Sequence, residues 1–430
     1  MQSKKFWLQI IFSFSLITSL YAKGGGAPVG PEAVHHKMTG DWSGGRKLLR
    51  EHGITFPCSY TVDAVGNPVG GQSHGFAYAG SFGLAVHIDF DKACGVTGLE
   101  LWSDLVWRTG TSLSRKKIGN QFPVQQVYGS QTIKLNELYL KETLFGETLV
   151  LKAGRLDAGN DFLQNPLYYY YVNNAFDGNP ISVFFNTQFM AYPNSTWGAY
   201  LAIQPTSWLL AQFAVYNANG DISLNKYHGC EFTFESTNGV IWITQWDLIN
   251  DSSYPGNYKF GYFYQNGLPV WSFIDANTKG DSCFYILLDQ MVYRPQCVKK
   301  GESRGIIPWI TLVFQPKNIN FIPFFTTSGI VYKGPFASRP RDALVVGFAY
   351  GRFSKAMEKL QREAKLMLPM STDLFGTKPQ TYEAVAEMNY WIQVTDWCTI
   401  VPDIQYIIRP DGTGKIPNAL VLGAQIGLVL

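Results

Sequence analysis

The segment Glu383–Thr395, EAVAEMNYWIQVT, alternates between apolar and polar side chains along most of its length. Its apolar positions fall on one face of an extended chain: Ala384, Ala386, Met388, Tyr390, Ile392 and Val394. Its polar positions fall on the other: Glu383, Glu387, Asn389, Gln393 and Thr395. Because successive side chains of a strand point to opposite faces, the segment is predicted to be a strand with one apolar and one polar side.

Two later segments, Thr399–Arg409 and Ala419–Leu430, repeat this division. Each of the three spans about 9 to 13 residues, the length of a tilted strand that crosses a bilayer. A soluble sandwich would also alternate, but it would hide its apolar face in a core. Aromatic residues at alternate strand positions, from Tyr258 to Tyr264, favour the aromatic girdles of a membrane barrel instead.

The N-terminal residues have the three parts of a secretory signal peptide. Lys4 and Lys5 precede a mostly apolar run that ends near Leu20, and Ala22 is a small residue at the expected cleavage position. Residues 1–22 are therefore predicted to be cleaved on export, with an N-terminal membrane anchor as the alternative. Residues 23–53 are predicted to be a glycine-rich linker and a short periplasmic helix, with Asp41 as N-cap and Gly53 as the stop.

Strand-length segments then recur from Ile54 to the end of the chain. They include Phe76–Phe90, Leu99–Arg108, Ile133–Thr143, Trp208–Asn217, Val240–Leu248 and Leu344–Phe353. Removing 22 of the 430 residues leaves 408, and sixteen strands would then share about 25 residues each, connections included, as in outer-membrane barrels. The predicted fold class is all-β: one transmembrane antiparallel β-barrel of about 16 strands over residues 54–430.

Two connections are long enough to have structure of their own. Ser354–Thr381 contains a helix-like run, Lys355–Met367, which is predicted to be a solvated surface helix. Gly159–Tyr192 is polar and aromatic, and such a loop can fold into a wide barrel and narrow it. Its constriction candidates are Tyr168, Tyr169, Tyr170, Tyr171, Asn173, Asn174, Phe176 and Asp177.

Composition excludes several function classes. A formal charge of +3 gives no strong field for nucleic acid. Gly71-Gln72-Ser73-His74-Gly75 matches a nucleophile elbow, but it lies between two predicted strands, so no catalytic residue is expected. The histidines lack metal-ligand spacing and no phosphate-binding glycine loop precedes a helix. No metal and no cofactor is expected.

Six cysteines would enter an oxidising compartment on export. Cys283 and Cys297 flank one extended run and would be roughly 45 Å apart, too far for a disulfide. Cross-linking to other envelope proteins and isolated buried thiols both remain open.

These segments also resemble a known family, the OprB-type carbohydrate-selective porins of bacterial outer membranes. The similarity lies in Thr39–Arg46 (TGDWSGGR), Gly154–Asp157 (GRLD), Asn174–Phe176 (NAF) and, most of all, the run from Glu383 to Leu422. The resemblance implies a 16-stranded, trimer-forming barrel with inward loops in the outer membrane. The chain ends in Leu430, whereas such barrels commonly end in an aromatic residue.

Within that family the chain most resembles an arginine porin, which implies passive uptake of L-arginine as the first step of an arginine/agmatine exchange system. A carbohydrate (glucose-type) porin is the alternative, and a structural or adhesive outer-membrane protein is a further one. Arginine needs a carboxylate for its guanidinium and a cation for its α-carboxylate. The pore-lining candidates are Glu100, Asp104, Arg108, Glu137, Arg155, Asp157, Glu387, Asp403, Gln405 and Arg409.

Overall fold

The computed structural model describes residues 37–234, 239–267, 269–271, 278–296, 304–367 and 378–430. The predicted signal peptide, most of the linker and Cys297 lie outside these ranges. Seventeen strands occur within them: β1 (Ile54–Thr55), β2 (Cys58–Val69), β3 (Gly75–Asp89), β4 (Leu99–Gly110), β5 (Thr132–Leu144), β6 (Leu149–Leu156), β7 (Thr196–Thr206), β8 (Leu209–Asn217), β9 (Val240–Asn250), β10 (Gly256–Gln265), β11 (Asp281–Gln290), β12 (Gly305–Phe314), β13 (Phe324–Lys333), β14 (Ala343–Arg352), β15 (Tyr382–Thr395), β16 (Cys398–Ile408) and β17 (Ala419–Val429).

Sixteen of these strands, β2 to β17, form a closed antiparallel barrel. Each pairs with the next in sequence, and β17 returns to pair with β2, where Gly427 lies opposite Thr61. The two-residue strand β1 only adds a short pairing to β3. Closure gives every strand two neighbours, which hydrocarbon requires because it offers main-chain polar groups no water. The predicted fold class is confirmed.

The side-chain alternation takes the direction expected in a membrane. In β15, Met388 points outward and is 52% exposed, whereas Glu383, Glu387 and Asn389 point inward and are buried. Exposed aromatic residues repeat on the outer face of the β9–β10 hairpin: Trp242, Trp246, Phe260, Tyr262 and Tyr264. The apolar face therefore lies toward lipid and the polar face toward the lumen.

The two ends of the barrel differ in the length of their connections. At one end, strands are joined by tight turns such as residues 145–148, 207–208 and 396–397. At the other end the connections run over residues 111–131, 157–195 and 353–381. Short turns face the periplasm and long loops the outside in such barrels. β2 begins and β17 ends at the periplasmic end.

The helices are short and lie in the N-terminal segment and in the connections between strands. They are α1 (Gly45–Glu51), α2 (Phe90–Cys94), α3 (Ala158–Asp161), α4 (Ile181–Asn186) and α5 (Lys355–Met367). None of the helices in the described ranges has the length and hydropathy needed to cross a membrane. The predicted helix at Lys355 is confirmed, and the hydroxyl of Ser354 caps it by accepting hydrogen bonds from the N–H groups of Ala356 and Met357.

The N-terminal helix begins later than predicted. Asp41 makes no side-chain cap hydrogen bond, and a 3₁₀ turn at Trp42–Gly44 separates it from α1. Gly44 occupies the N-cap position with a left-handed φ of 92°, which glycine adopts without strain. The predicted stop at Gly53 agrees with its φ of 78° just beyond the helix.

The direction of the apolar face predicts the effect of a charge on the outer wall. Ile404 lies in the middle of β16 and is 49% exposed. We expect Ile404→Arg to destabilise the barrel by roughly 2–4 kcal/mol because its guanidinium would face hydrocarbon. Equilibrium urea unfolding in lipid vesicles measures this. Phe145→Arg is the control, since Phe145 lies in a periplasmic turn and is 79% exposed. Equal losses in the two variants would contradict the assignment of the lipid face.

Candidate functional site

The longest described connection, residues 157–195, lies inside the barrel and is called the tyrosine loop. The main-chain N–H groups of Val172 and Asn173 donate to the Glu387 carboxylate at 2.7 and 3.0 Å. The Tyr171 hydroxyl donates to the carbonyl oxygen of Val346 at 2.9 Å. The loop leaves the wall after β6 and therefore crosses the lumen to reach β14 and β15.

Further hydrogen bonds attach the tyrosine loop around the wall. The N–H of Leu163 donates to Gln245 on β9 at 3.3 Å, and the amide of Asn165 donates to Asp289 on β11 at 2.9 Å. The N–H of Gln188 donates to Gln265 on β10 at 2.9 Å. The loop is thus attached to strands β9, β10 and β11 as well as to β14 and β15, and it narrows the passage.

Two glycines in the wall make room for Tyr171. A Cβ atom on Gly347 would lie 2.5 Å from Cε1 of Tyr171, and one on Gly329 would lie 2.0 Å from its hydroxyl oxygen. The ring stacks on Phe176 with centroids 4.7 Å apart. A side chain at either position would clash with Tyr171, so the close approach of the loop to the wall requires glycine at both.

A second loop also lies inside the barrel, and sequence reasoning did not identify it. Residues 111–131, called the Phe122 loop, connect β4 to β5. The N–H groups of Gln121 and Phe122 donate to the carboxylate of Glu383, at 2.9 and 2.7 Å respectively. The available signal was the set of apolar residues in a segment between two strands, all of which are buried: Leu113, Ile118, Phe122 and Val124.

Arg108 lies where the tyrosine loop approaches β2 to β4. Its guanidinium carbon is 4.8 Å from the centre of the Tyr192 ring, and it donates to the carbonyl oxygen of Gln126 at 3.4 Å. It also interacts electrostatically with Asp177 and Asp63. Asp63 was not among the predicted residues, although it occupies an inward position of β2.

The pKa of Asp177 lies well above its ordinary value. Burial is the main cause, and the nearby carboxylate of Asp63 adds to it, whereas Arg108 acts in the opposite direction. The negative charge of Asp177 is therefore lost at a higher pH than that of an exposed aspartate.

Three predicted pore residues form a patch beneath the tyrosine loop. Glu387, Asp403 and Gln405 lie on β15 and β16, where Glu387 is paired with Gln405. The Gln405 side chain donates to Asp403 at 2.7 Å and accepts from the amide of Asn173 at 2.8 Å. The patch serves mainly as the wall to which the loop is attached.

Glu137 and Asp157 lie together at the start of the tyrosine loop. The Glu137 carboxylate accepts from the N–H of Asp157 at 2.8 Å and from the amide of Asn160 at 2.9 Å. Asp161 is paired with Lys152. Burial and the neighbouring Glu137 raise the pKa of Asp157. Asp104, another predicted residue, accepts from the amide of Asn136 at 3.2 Å.

The remaining predicted pore residues, Arg155, Arg409 and Glu100, lie apart from the clusters around Arg108, Glu387 and Glu137. Arg155 is buried and donates to the carbonyl oxygens of Glu231 and Ser195 at 2.5 and 3.0 Å, so it holds loops in place. Arg409 lies at the outer rim and donates to the carbonyl oxygen of Gly412 at 3.0 Å. Glu100 lies near the periplasmic end, with His87 and Lys141 each 2.9 Å away.

Of the predicted constriction residues, Tyr169, Tyr170 and Asn174 are partly exposed. The others are buried against the wall: Tyr168, Tyr171, Asn173, Phe176 and Asp177. Tyr168 pairs with the hydroxyl of Thr311. Most of the predicted constriction residues therefore anchor the loop, and three of them retain partly exposed side chains.

Buried charged side chains of the described residues are mostly acidic. Thirteen carboxylate residues stand against four basic ones. The acidic ones are Asp63, Asp104, Glu137, Asp157, Asp161, Asp177, Asp247, Asp281, Asp289, Asp342, Glu383, Glu387 and Asp403; the basic ones are Arg108, Lys134, Arg155 and Arg304. No group of three or more potential metal ligands is found in the described part of the chain.

A closed sixteen-strand barrel in the outer membrane, with loops folded inward to narrow it, is a porin. Residues 73–430 match the sequence profile of the carbohydrate-selective porin, OprB family, and the chain belongs to that family. The matched relatives are porins, so the chain is a passive channel rather than an enzyme.

Individual relatives agree with this assignment. The chain is 29% identical to Porin B of Pseudomonas aeruginosa over 420 residues, which cover 91% of each protein. It is 26% identical to the putative porin QuiX of Acinetobacter baylyi over 423 residues, 91% of this chain and 92% of that protein. The high-pH structure of Pseudomonas putida OprB is similar, with a TM-score of 0.83 and 25% identity over 92% of this chain and 98% of that one.

The recess at Gly347 predicts how the tyrosine loop responds to a single methyl group. We expect Gly347→Ala to push away the rings of Tyr171 and Phe176, to cost roughly 1–3 kcal/mol of stability, and to change the single-channel conductance. Thermal unfolding and planar-bilayer recording measure the two effects. The control is Gly83→Ala, because a Cβ atom on Gly83 would meet its nearest neighbour, Oγ of Ser59, at 3.6 Å. Similar behaviour of the two variants would show that the loop does not depend on this recess.

Proposed function

We propose that this porin favours a small cationic solute, L-arginine above all, over neutral sugars. The observation that carries the proposal is the excess of thirteen buried carboxylate residues over four basic ones, an excess that remains although Asp161, Asp247 and Asp342 are paired with partly buried or exposed cations. Charges of one sign in a channel with low-dielectric walls raise the local concentration of the opposite ion. A cation would therefore enter this lumen more often than a neutral molecule of the same size.

The narrowed region carries charge of both signs. From their buried positions, Arg108 would attract the α-carboxylate through space, and Asp177 and Asp63 would attract the side-chain guanidinium in the same way. Transport would be passive, down the solute gradient, as the first step of an arginine/agmatine exchange. Agmatine lacks the carboxylate and carries more positive charge, so the same acidic lumen would accept it on the way out.

A carbohydrate is the second candidate solute. The family to which the chain belongs is described as carbohydrate-selective, which favours a sugar. Tyr169, Tyr170 and Tyr192 are partly exposed and offer ring faces on which a sugar can stack. A structural or adhesive role with a plugged lumen is the third candidate, and it predicts no steady ionic current through the purified protein in a planar bilayer.

Liposome swelling separates the two solutes. We expect faster swelling with arginine than with glucose, and a severalfold lower arginine-to-glucose ratio for Asp177→Asn because it removes a carboxylate from the narrowed region. As the pH falls through the raised pKa of Asp177, the carboxyl becomes neutral, so the arginine preference should decline. This decline should be smaller in the variant.

Asp251→Asn is the matched control, because Asp251 is exposed in a periplasmic turn. It should leave both rates and their pH dependence unchanged. Faster swelling with glucose than with arginine in the unaltered protein would reject the arginine proposal and favour the sugar.

We also propose that the protein forms a homotrimer and that its exposed thiols form disulfide cross-links to other envelope proteins. Cys94 and Cys230 are exposed, and Cys58 and Cys398 are partly exposed, whereas Cys283 is buried in the wall. Two thiols become one disulfide by losing two protons and two electrons to an envelope oxidant, which exported proteins encounter.

Gel electrophoresis without reductant tests the cross-linking. We expect a ladder of higher bands that collapses when reductant is added, and weaker ladders for Cys94→Ser and Cys230→Ser. Cys283→Ser should keep the full ladder because its thiol is buried. A single monomer band from freshly isolated membranes would rule the cross-links out, and chemical cross-linking of the reduced protein reports the trimer independently.

A further inference from the structure

Two glutamates on β15 face the lumen four residues apart. Glu383 and Glu387 therefore lie roughly 13 Å from each other along one strand. Both are buried, and both accept hydrogen bonds from the main chain of a loop inside the barrel. Glu387 accepts from the N–H groups of Val172 and Asn173 in the tyrosine loop. Glu383 accepts from the N–H groups of Gln121 and Phe122 in the Phe122 loop.

The acceptor geometry suits a loop that must stay in place. Each carboxylate accepts from the N–H groups of two consecutive residues, and Glu383 also accepts from the N–H of Asp411 at 2.7 Å. Main-chain N–H groups inside the barrel need acceptors, and the two oxygens of one carboxyl group can accept from two N–H groups at once. These contacts do not depend on which side chains the loop carries.

The two loops are also bonded to each other. The N–H of Gln126 donates to the carbonyl oxygen of Val172 at 3.0 Å, and the N–H of Asn174 donates to that of Pro123 at 2.8 Å. Gln405 on β16 touches both loops, since it accepts from Asn173 at 2.8 Å and donates to the carbonyl oxygen of Val124 at 3.0 Å. Movement of one loop therefore breaks hydrogen bonds made by the other.

We propose that Glu383 and Glu387 are positioning residues that hold the Phe122 loop and the tyrosine loop together as one two-part constriction, and thereby set the size limit of the pore. The wall binds the loops through hydrogen bonds to their main chain. Partly exposed side chains such as Tyr169 and Asn174 are then available to the solute. The proposal rests on the porin function and is independent of the choice between arginine and sugar.

The experiment separates the effect of the negative charge of Glu387 from the effect of its side-chain length. Glu387→Gln removes the negative charge, whereas Glu387→Asp keeps it but shortens the side chain by one methylene group, so the carboxylate cannot reach both N–H groups. Asp281→Asn is the charge-matched control, because Asp281 is a buried lumen carboxylate whose partners are Asn320 and the N–H of Ser282, outside both loops. The measurements are single-channel conductance and liposome swelling with arabinose, glucose, sucrose and raffinose.

We expect both Glu387 variants to raise the conductance by roughly twofold or more and to admit larger sugars, while Asp281→Asn keeps the original size limit. Glu383→Gln should have a similar effect, because releasing the Phe122 loop also loosens the tyrosine loop. If Glu387→Asp behaves like the unaltered protein while Glu387→Gln and Asp281→Asn change alike, lumen charge rather than loop position sets the limit, and the proposal is rejected.

A locked loop keeps the test decisive even if a variant is unstable. In a background with the native cysteines replaced by serine, Asn173→Cys and Gln405→Cys would be joined by a bifunctional methanethiosulfonate reagent, which spans more than the ~7 Å that a direct disulfide allows. Combined with Glu387→Asp, this cross-link should restore the original size limit, and reductant, which cleaves it, should remove the effect. An unchanged size limit on locking would overturn the proposal. Because the sugars are neutral, failure here leaves the arginine proposal untouched.

Discussion

The closed ladder of main-chain hydrogen bonds is the constraint on which the rest of this structure depends. An unpaired N–H or C=O group costs several kcal/mol in hydrocarbon, so a spanning sheet has no edge that it can leave free. The pairing of β17 with β2 completes the ladder. The surrounding hydrocarbon decides that the apolar face lies outside, and closure then leaves a polar interior wide enough to take up connections from the outer end.

The polar interior in turn explains why the loops fold inward in the way they do. A loop inside a barrel brings main-chain donors that need acceptors. Inward-facing side chains of the wall supply them at fixed heights: Glu383, Glu387, Gln245 and Gln265. Apolar contacts do the rest, as where Tyr171 enters the recess left by Gly329 and Gly347. The narrowing of the pore is thus a property of the wall as much as of the loop.

Membership of the OprB family and the charge of the lumen bear on different questions. The family follows from similarity over residues 73–430, and it establishes a porin. Solute preference depends on a handful of side chains at the narrowed level, where Arg108 lies among Asp63 and Asp177. A sequence identity of 29% over 91% of the chain leaves such positions free to differ between relatives.

By itself, the sequence determined the strands, because alternation with period two is a local property that each segment such as Glu383–Thr395 carries alone. It also indicated Arg108, Glu387, Asp403 and Gln405 as inward residues, since their faces follow from the same period. Only the tertiary structure decided what these residues touch. The contact between Gln121 and Glu383 spans 262 positions of the chain, and no local period encodes it, so the Phe122 loop and the role of Asp63 escaped prediction. Arg155 likewise lies on an inward face, but its guanidinium donates hydrogen bonds to loop carbonyl oxygens and does not line the passage. The neighbouring strands bring those loops close enough for this contact.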